Sequence, residues 1–217
     1  MERIICLVVG YAFGLIQTGF IYSKIKHTDI RNYGSGNAGT TIVLRTFGAK
    51  GGAITFLGDF LKAVIPVLIV GFIFREQGIE AVKMYQMYTG LGVVLGHDFP
   101  FFMGFKGGKG IASSAGGLIV VDPIGTVATL VCFALIVVAT KYVSLGSVSA
   151  AVIMTIAHIL SGEFLGTYGA PGQCRIENYA VMVVMAALAL YKHKANIGRL
   201  INGTENKFSM GKKEKNE

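Results

Sequence analysis

Seven stretches of this chain are apolar and close to the length needed to cross a lipid bilayer, which excludes most soluble folds. A spanning helix needs about 20 predominantly apolar residues. Residues 4–23 meet this without a formal charge, and 51–74 meet it while carrying Asp59 and Lys62. Residues 84–99 form a shorter, glycine-punctuated run. Residues 111–121 and 124–139 are apolar runs divided by Asp122-Pro123, and 144–161 and 178–191 complete the set. Only 15% of the residues are charged, against roughly 25% in soluble domains. The sequence predicts an all-α integral membrane helical bundle, with one embedded domain over 1–210 and a charged flexible tail over 211–217.

The division at Asp122-Pro123 decides the topology. Proline disfavours helix in the residue before it, so a turn fits there, with one long kinked helix as the alternative. Charge bias separates the two. With seven spans, the loops around 24–50, 99–110 and 140–143 share a side with the C-terminal tail and hold fifteen Lys and Arg, against four on the other side. Merging the two runs gives eight against eleven, which is almost no bias. The positive-inside rule therefore predicts seven transmembrane helices, N-terminus out and C-terminus in.

The net charge of +8 reads as topology and contact with anionic lipid, not as nucleic-acid binding, since no soluble basic domain exists to carry it. Cys6, Cys132 and Cys174 are scattered and odd in number, which argues against a disulfide framework or a structural zinc site. The first apolar run is longer than a signal-peptide core and has no small-residue cleavage site, so it reads as a retained span.

Four polar segments fall on the side predicted to be inside. The first runs from Gly34 through Ser35, Gly36, Asn37, Ala38, Gly39, Thr40 and Thr41 to Arg45. Alternating glycines let successive N–H groups turn toward an anion, and Arg45 can grip phosphate with a bidentate fork. An ordinary glycine-rich helix cap is the alternative. The second holds Gly96-His97-Asp98 and then Lys106-Gly107-Gly108-Lys109-Gly110 ahead of the run at Ile111. A glycine-rich loop opening a helix is an anion site. It is no ATP-binding P-loop: the first glycine of that pattern falls on Met103, and Gly110 stands where Ser or Thr is needed. His97 reads as a structural hydrogen-bond partner or as a base.

The third segment, Ser144-Leu145-Gly146-Ser147, opens a span and reads as a helix N-cap or as a set of ligand donors. The fourth holds His193, Asn196 and Arg199, which share one face if helical, followed by Glu205. A plain basic tail on anionic lipid is its alternative. Within the spans, Asp59 and Lys62 sit three residues apart and can pair on one helix face, while His158 reads as a packing histidine. Lysine and arginine grips on one membrane side imply one or two phosphorylated substrates.

At these residues the chain resembles the bacterial membrane acyl-phosphate:glycerol-3-phosphate acyltransferases. The resemblance rests on SGNAGTTIVLR at 35–45, GHDFPFFMGFKGGKG at 96–110 and HKANIGRLINGTE at 193–205, supported by Asp59–Lys62 and the 144–147 segment. One departure stands out, because Ile42 replaces the asparagine usual in the first block.

The resemblance implies seven spans in the bacterial cytoplasmic membrane, with the active site at the cytoplasmic face. It also implies transfer of a fatty acyl group from acyl phosphate to the 1-hydroxyl of glycerol 3-phosphate, giving lysophosphatidic acid and phosphate. None of the four histidines has Asp five residues on, which separates the chain from glycerolipid acyltransferases that use a His-xxxx-Asp pair. Glycerol 3-phosphate is expected at Arg45, Lys106 and Ser144. The donor phosphate and oxyanion are expected at Ser35, Asn37 and the Gly107–Gly110 amides, with His193 and Asn196 orienting the attacking hydroxyl. Gly36, Gly39, Thr40, Thr41, Lys109, Arg199 and Glu205 are expected to line the substrates. No cofactor or metal is implied. Partners are the bilayer, the two substrates and the enzyme that supplies acyl phosphate. The rival reading is a membrane transporter of a small organic phosphate or other anion.

Overall fold

The structure is a computed structural model and describes residues 1–33 and 36–208. Ser35 and the 211–217 tail lie outside these residues. The described chain is helical, with no strand among the described residues: α1 (Glu2–Gly14), α2 (Thr18–Ile25), α3 (Thr40–Ile73), α4 (Ile79–Asp98), α5 (Ile111–Val121), α6 (Pro123–Thr140), α7 (Val143–Leu165), α8 (Gln173–Lys192) and α9 (Lys194–Ile201). Six of the seven apolar stretches each fall in one helix to within a terminal residue, and the first, 4–23, is divided between α1 and α2. Among the described residues, five helical segments are long and apolar enough to cross a membrane: Glu2–Ile25, Thr40–Ile73, Pro123–Thr140, Val143–Leu165 and Gln173–Lys192.

The central helix is α4, which packs against α1, α3, α5 and α8. Its contact with α1 depends on two glycine pairs. A Cβ on Gly10 or Gly14 would collide with the backbone of α4 at Thr89 or Val93. One on Gly92 or Gly96 would collide with the backbone of α1 at Leu7 or Tyr11. Within a membrane no hydrophobic force drives helices together, so such close backbone approach supplies the packing. Around α4, Val67, Leu91, Leu118, Met154, Met182 and Met185 join five helices into one core. Outward side chains such as Leu61, Leu68 and Phe72 on α3, and Val127, Val131 and Leu135 on α6, are exposed and suit contact with lipid tails.

The first span is not the continuous helix that its apolar run suggested. It breaks at residues 15–17, which frees carbonyl groups that a bilayer cannot satisfy. Side chains from elsewhere take them: Gln17 Nε2 donates to the Gly14 carbonyl at 3.2 Å, and Lys62 Nζ donates to the Ile16 carbonyl at 2.6 Å. Helix α3 begins earlier than expected, at Thr40, and is broken at Gly48, whose φ of 80° is open to glycine. The helix break at Asp122 is present. Asp122 ends α5 and caps α6, its carboxylate accepting the Gly125 N–H at 3.0 Å, with Pro123 at the first helical position.

A smaller apolar cluster of Ile30, Ala38, Ile42, Val43 and Met103 ties the chain before α3 to the turn after α4. It anchors the two glycine-rich segments beside each other.

Candidate active site

Three helices, α3, α5 and α7, begin at one cavity of about 580 Å³. Each start is written in the sequence by small or hydroxyl residues: Gly39-Thr40-Thr41, Gly110-Ile111-Ala112 and Val143-Ser144, all in the cavity wall. Gly39 and Gly110 are the N-caps of α3 and α5, Gly110 at a left-handed φ of 74°. The first amides of each helix have no intrahelical acceptor. Three positive dipole ends therefore converge on one space, an arrangement suited to phosphate.

Full charges reinforce them. Arg45, Lys109 and Arg199 line the same cavity, together with Asn37, His193 and Asn196. Lys109 Nζ donates to Asn196 Oδ1 at 2.7 Å. Burial pulls the Lys109 ammonium down to about 8; neighbouring Arg199, Arg45 and Lys192 add to the fall, and Glu205 opposes it. Arg45 spends one Nη2 bond on the Asn206 carbonyl at 3.3 Å, which keeps the guanidinium at the rim. Ser144 Oγ is buried in the wall without a hydrogen-bond partner, so it does not cap α7, whose N-cap is Tyr142. An unsatisfied buried hydroxyl is costly unless a ligand completes it.

His193 sits between α8 and α9 with its Nδ1 2.7 Å from the Ala189 carbonyl. A carbonyl only accepts, so Nδ1 carries the proton and Nε2 is left as a lone-pair acceptor. Burial holds this imidazole down to about 4, so the ring is neutral at physiological pH. Part of the lining is apolar, supplied by Phe56 of α3 and Phe133 and Val137 of α6.

Several expected site residues stand elsewhere or play another part. Lys106 is exposed and lies outside the cavity wall. The Gly107 and Gly108 amides are not free for an anion, because they donate to the Asp98 and His97 carbonyls at 3.1 and 3.0 Å. Gly36 also lies outside the wall, its amide donating to the Tyr33 carbonyl. Glu205 lines the cavity, but a carboxylate repels phosphate, and its oxygens already take Asn196 Nδ2 at 3.3 Å and Arg199 Nε at 2.9 Å. It holds those two side chains in place.

Asp59 and Lys62 pair as expected, 3.0 Å apart and buried. Unforeseen was that Asp59 and His97 both reach the cavity wall. His158 places Nδ1 2.8 Å from the Met154 carbonyl, with its Nε2 3.9 Å from Asp122 Oδ2. The Ile42 side chain belongs to the apolar cluster beneath the first segment and also borders the cavity.

Known proteins share this architecture. A solved structure of PlsY, an integral membrane glycerol 3-phosphate acyltransferase, in its glycerol 3-phosphate form superposes with a TM-score of 0.81, at 35% identity over 96% of each chain. Its lysophosphatidic acid form gives a TM-score of 0.79, at 34% identity over 97% of each chain. The glycerol-3-phosphate acyltransferase of Clostridioides difficile is 43% identical over 213 residues, covering 96% of this chain and 97% of that one. The Aquifex aeolicus protein of the same description is 38% identical, covering 96% of this chain and 100% of its own. Residues 4–203 match the family described as glycerol-3-phosphate acyltransferase, and this integral membrane, multi-helical chain belongs to that family.

Proposed function

We propose that the protein transfers a fatty acyl group from acyl phosphate to the 1-hydroxyl of glycerol 3-phosphate. The observation that carries this reading is the convergence of three helix N-termini and three cationic side chains on a cavity that Phe56, Phe133 and Val137 also line. The charged end suits two phosphate groups, and Phe56, Phe133 and Val137 suit an acyl chain. The chain crosses the bacterial cytoplasmic membrane seven times, with α4 and the short α5 shielded among longer helices and the cavity at the cytoplasmic face. The Lys and Arg excess of fifteen to four supports that orientation.

Acyl phosphate is already activated, so no covalent enzyme intermediate is needed, and catalysis rests on positioning and charge. Arg45, Lys109 and Ser144 hold the acceptor phosphate; Lys109 takes the part that its position suggested for Lys106. Asn37 and the free amides at the starts of α3 and α5 face the donor phosphate and the developing oxyanion. His193 Nε2 accepts a hydrogen bond from the attacking hydroxyl, and Asn196 fixes Lys109 beside it. The hydroxyl oxygen bonds to the acyl carbon, the carbon–oxygen bond to phosphate breaks, and the departing phosphate takes up the proton. The products are lysophosphatidic acid and inorganic phosphate.

The test is purified protein in detergent, given glycerol 3-phosphate with either acyl phosphate or acyl-CoA. Lysophosphatidic acid formed from acyl phosphate, without a membrane gradient, supports the reading and excludes a transporter that does no chemistry. Turnover with acyl-CoA alone would assign a different donor.

A further inference from the structure

An ion pair inside a membrane domain is expensive, and one that served only itself could be replaced by apolar packing at little loss. Lys62 does more than pair with Asp59. Its ammonium also donates to the Ile16 carbonyl at 2.6 Å and the Gly14 carbonyl at 3.3 Å, and lies 2.8 Å from His97 Nδ1. An ammonium has three donors and no acceptor, so His97 Nδ1 must accept. The imidazole proton is then on Nε2, and the ring is neutral, since an imidazolium would face the ammonium at that separation. Asp59 Oδ1, 3.7 Å from the ring, and Lys192 are the other charged groups around it.

The ring so fixed is the floor on which the next loop lies. A Cβ on Gly108 would collide with Nε2, Cε1 and Cδ2 of His97, and one on Gly107 would strike the His97 carbonyl. The Gly108 and Gly107 amides bond the His97 and Asp98 carbonyls, and Lys192 Nζ donates to the latter at 2.8 Å. The next residue is Lys109, whose ammonium enters the cavity wall. We propose that Asp59, Lys62 and His97 form a buried relay that positions Lys109 for the phosphate of the acceptor, with Lys62 as the positioning residue.

This inference rests on the proposed reaction for its kinetic readout but not for its spectroscopic one. The neutral pair substitution Asp59→Asn with Lys62→Met avoids leaving one charge unpaired. It is expected to raise the KM for glycerol 3-phosphate about 10–100-fold, the size of effect that a small misplacement of a binding group produces, with a smaller change in kcat. In a Lys109→Ala background the same pair should change KM no further, because its effect passes through Lys109. Multiplicative effects in the combined variant would overturn the relay. His97→Phe keeps a ring beneath Gly108 while cutting the link to Lys62; it should raise KM less, and again only when Lys109 is present.

Should these variants not fold, 15N-histidine NMR of the intact wild-type protein in detergent still decides: His97 is expected to be protonated at Nε2 and bare at Nδ1. A ring protonated at Nδ1 sinks the inference. A wild-type protein that makes no lysophosphatidic acid would refute the reaction while leaving this tautomer test standing.

Discussion

Lys109 Nζ donates across 2.7 Å to Asn196 Oδ1, joining the loop before α5 to helix α9, 87 residues further along. Asn196 in turn gives its amide protons to Glu205, which also holds Arg199. One carboxylate thus sets the direction of an amide, and the amide sets the direction of an ammonium that points into the cavity.

The two lysines of the glycine-rich loop should therefore separate in experiment. Lys109→Ala is expected to lower kcat/KM by at least about 100-fold, the scale of removing one preorganised charge-stabilising donor. Lys106→Ala, which alters an exposed side chain outside the cavity, should stay within about twofold, an effect inside the usual range for surface substitutions. Steady-state kinetics with varied glycerol 3-phosphate distinguishes them.

Lys109 also sets a pH dependence. With its folded value near 8, the ammonium is fully charged at pH 6–7 and loses its proton as pH rises through 8. Glycerol 3-phosphate should therefore bind more weakly above pH 8. Bound phosphate favours the charged form and moves the transition upward. For stability the sign is opposite. Burial penalises the charged form, so the cost is present below about pH 8 and is relieved between there and the unfolded lysine value of about 10.4. KM for glycerol 3-phosphate and the melting temperature of the ligand-free protein should thus both rise across this window.

Ser144 offers a split between stability and activity. Its buried hydroxyl has no partner in the ligand-free protein. Ser144→Ala should leave thermal stability unchanged or raise it by up to about 1 kcal/mol, and lower kcat/KM about tenfold by removing one hydrogen bond to the substrate. Differential scanning fluorimetry and initial rates, measured on the same preparation, check both halves.

Ile42 gives a prediction of the reverse kind. Its side chain packs with Ile30, Val43 and Met103 beneath the first polar segment. An asparagine at this position would place an amide in that apolar cluster, at a cost of about 1–3 kcal/mol from protein mutational data. Ile42→Asn is expected to lower the melting temperature without raising turnover.

Much of this was legible in the sequence because it depends on local chemistry. Apolar run length marks the helices, Asp122-Pro123 marks a break, and a glycine or hydroxyl ahead of an apolar run marks a helix start. What stayed hidden depends on how the chain turns back on itself. Nothing local tells Lys106 from Lys109; the difference is which one the loop turns inward once Gly107 and Gly108 lie on His97. The amides of those glycines looked free because their acceptors, the His97 and Asp98 carbonyls, are identified only by the fold. The break at residues 15–17 is marked locally only by Gln17 and Thr18 in a run without formal charge, and the donor to the Ile16 carbonyl, Lys62, stands 46 residues away. Glu205 read as a substrate contact because the partners that occupy it, Asn196 and Arg199, reveal themselves only when α9 turns back.

The cavity is closed by residues that follow α8, the last of the long apolar helices. His193, Asn196, Arg199, Glu205, Asn206 and Phe208 all contribute to its wall, and the Phe208 amide donates to the Lys141 carbonyl. Without this segment α1 to α8 leave the space with one side missing. A chain cut before residue 193 would keep its apolar helices and lose a wall of its reaction space, so competence for chemistry rests on the segment that follows α8.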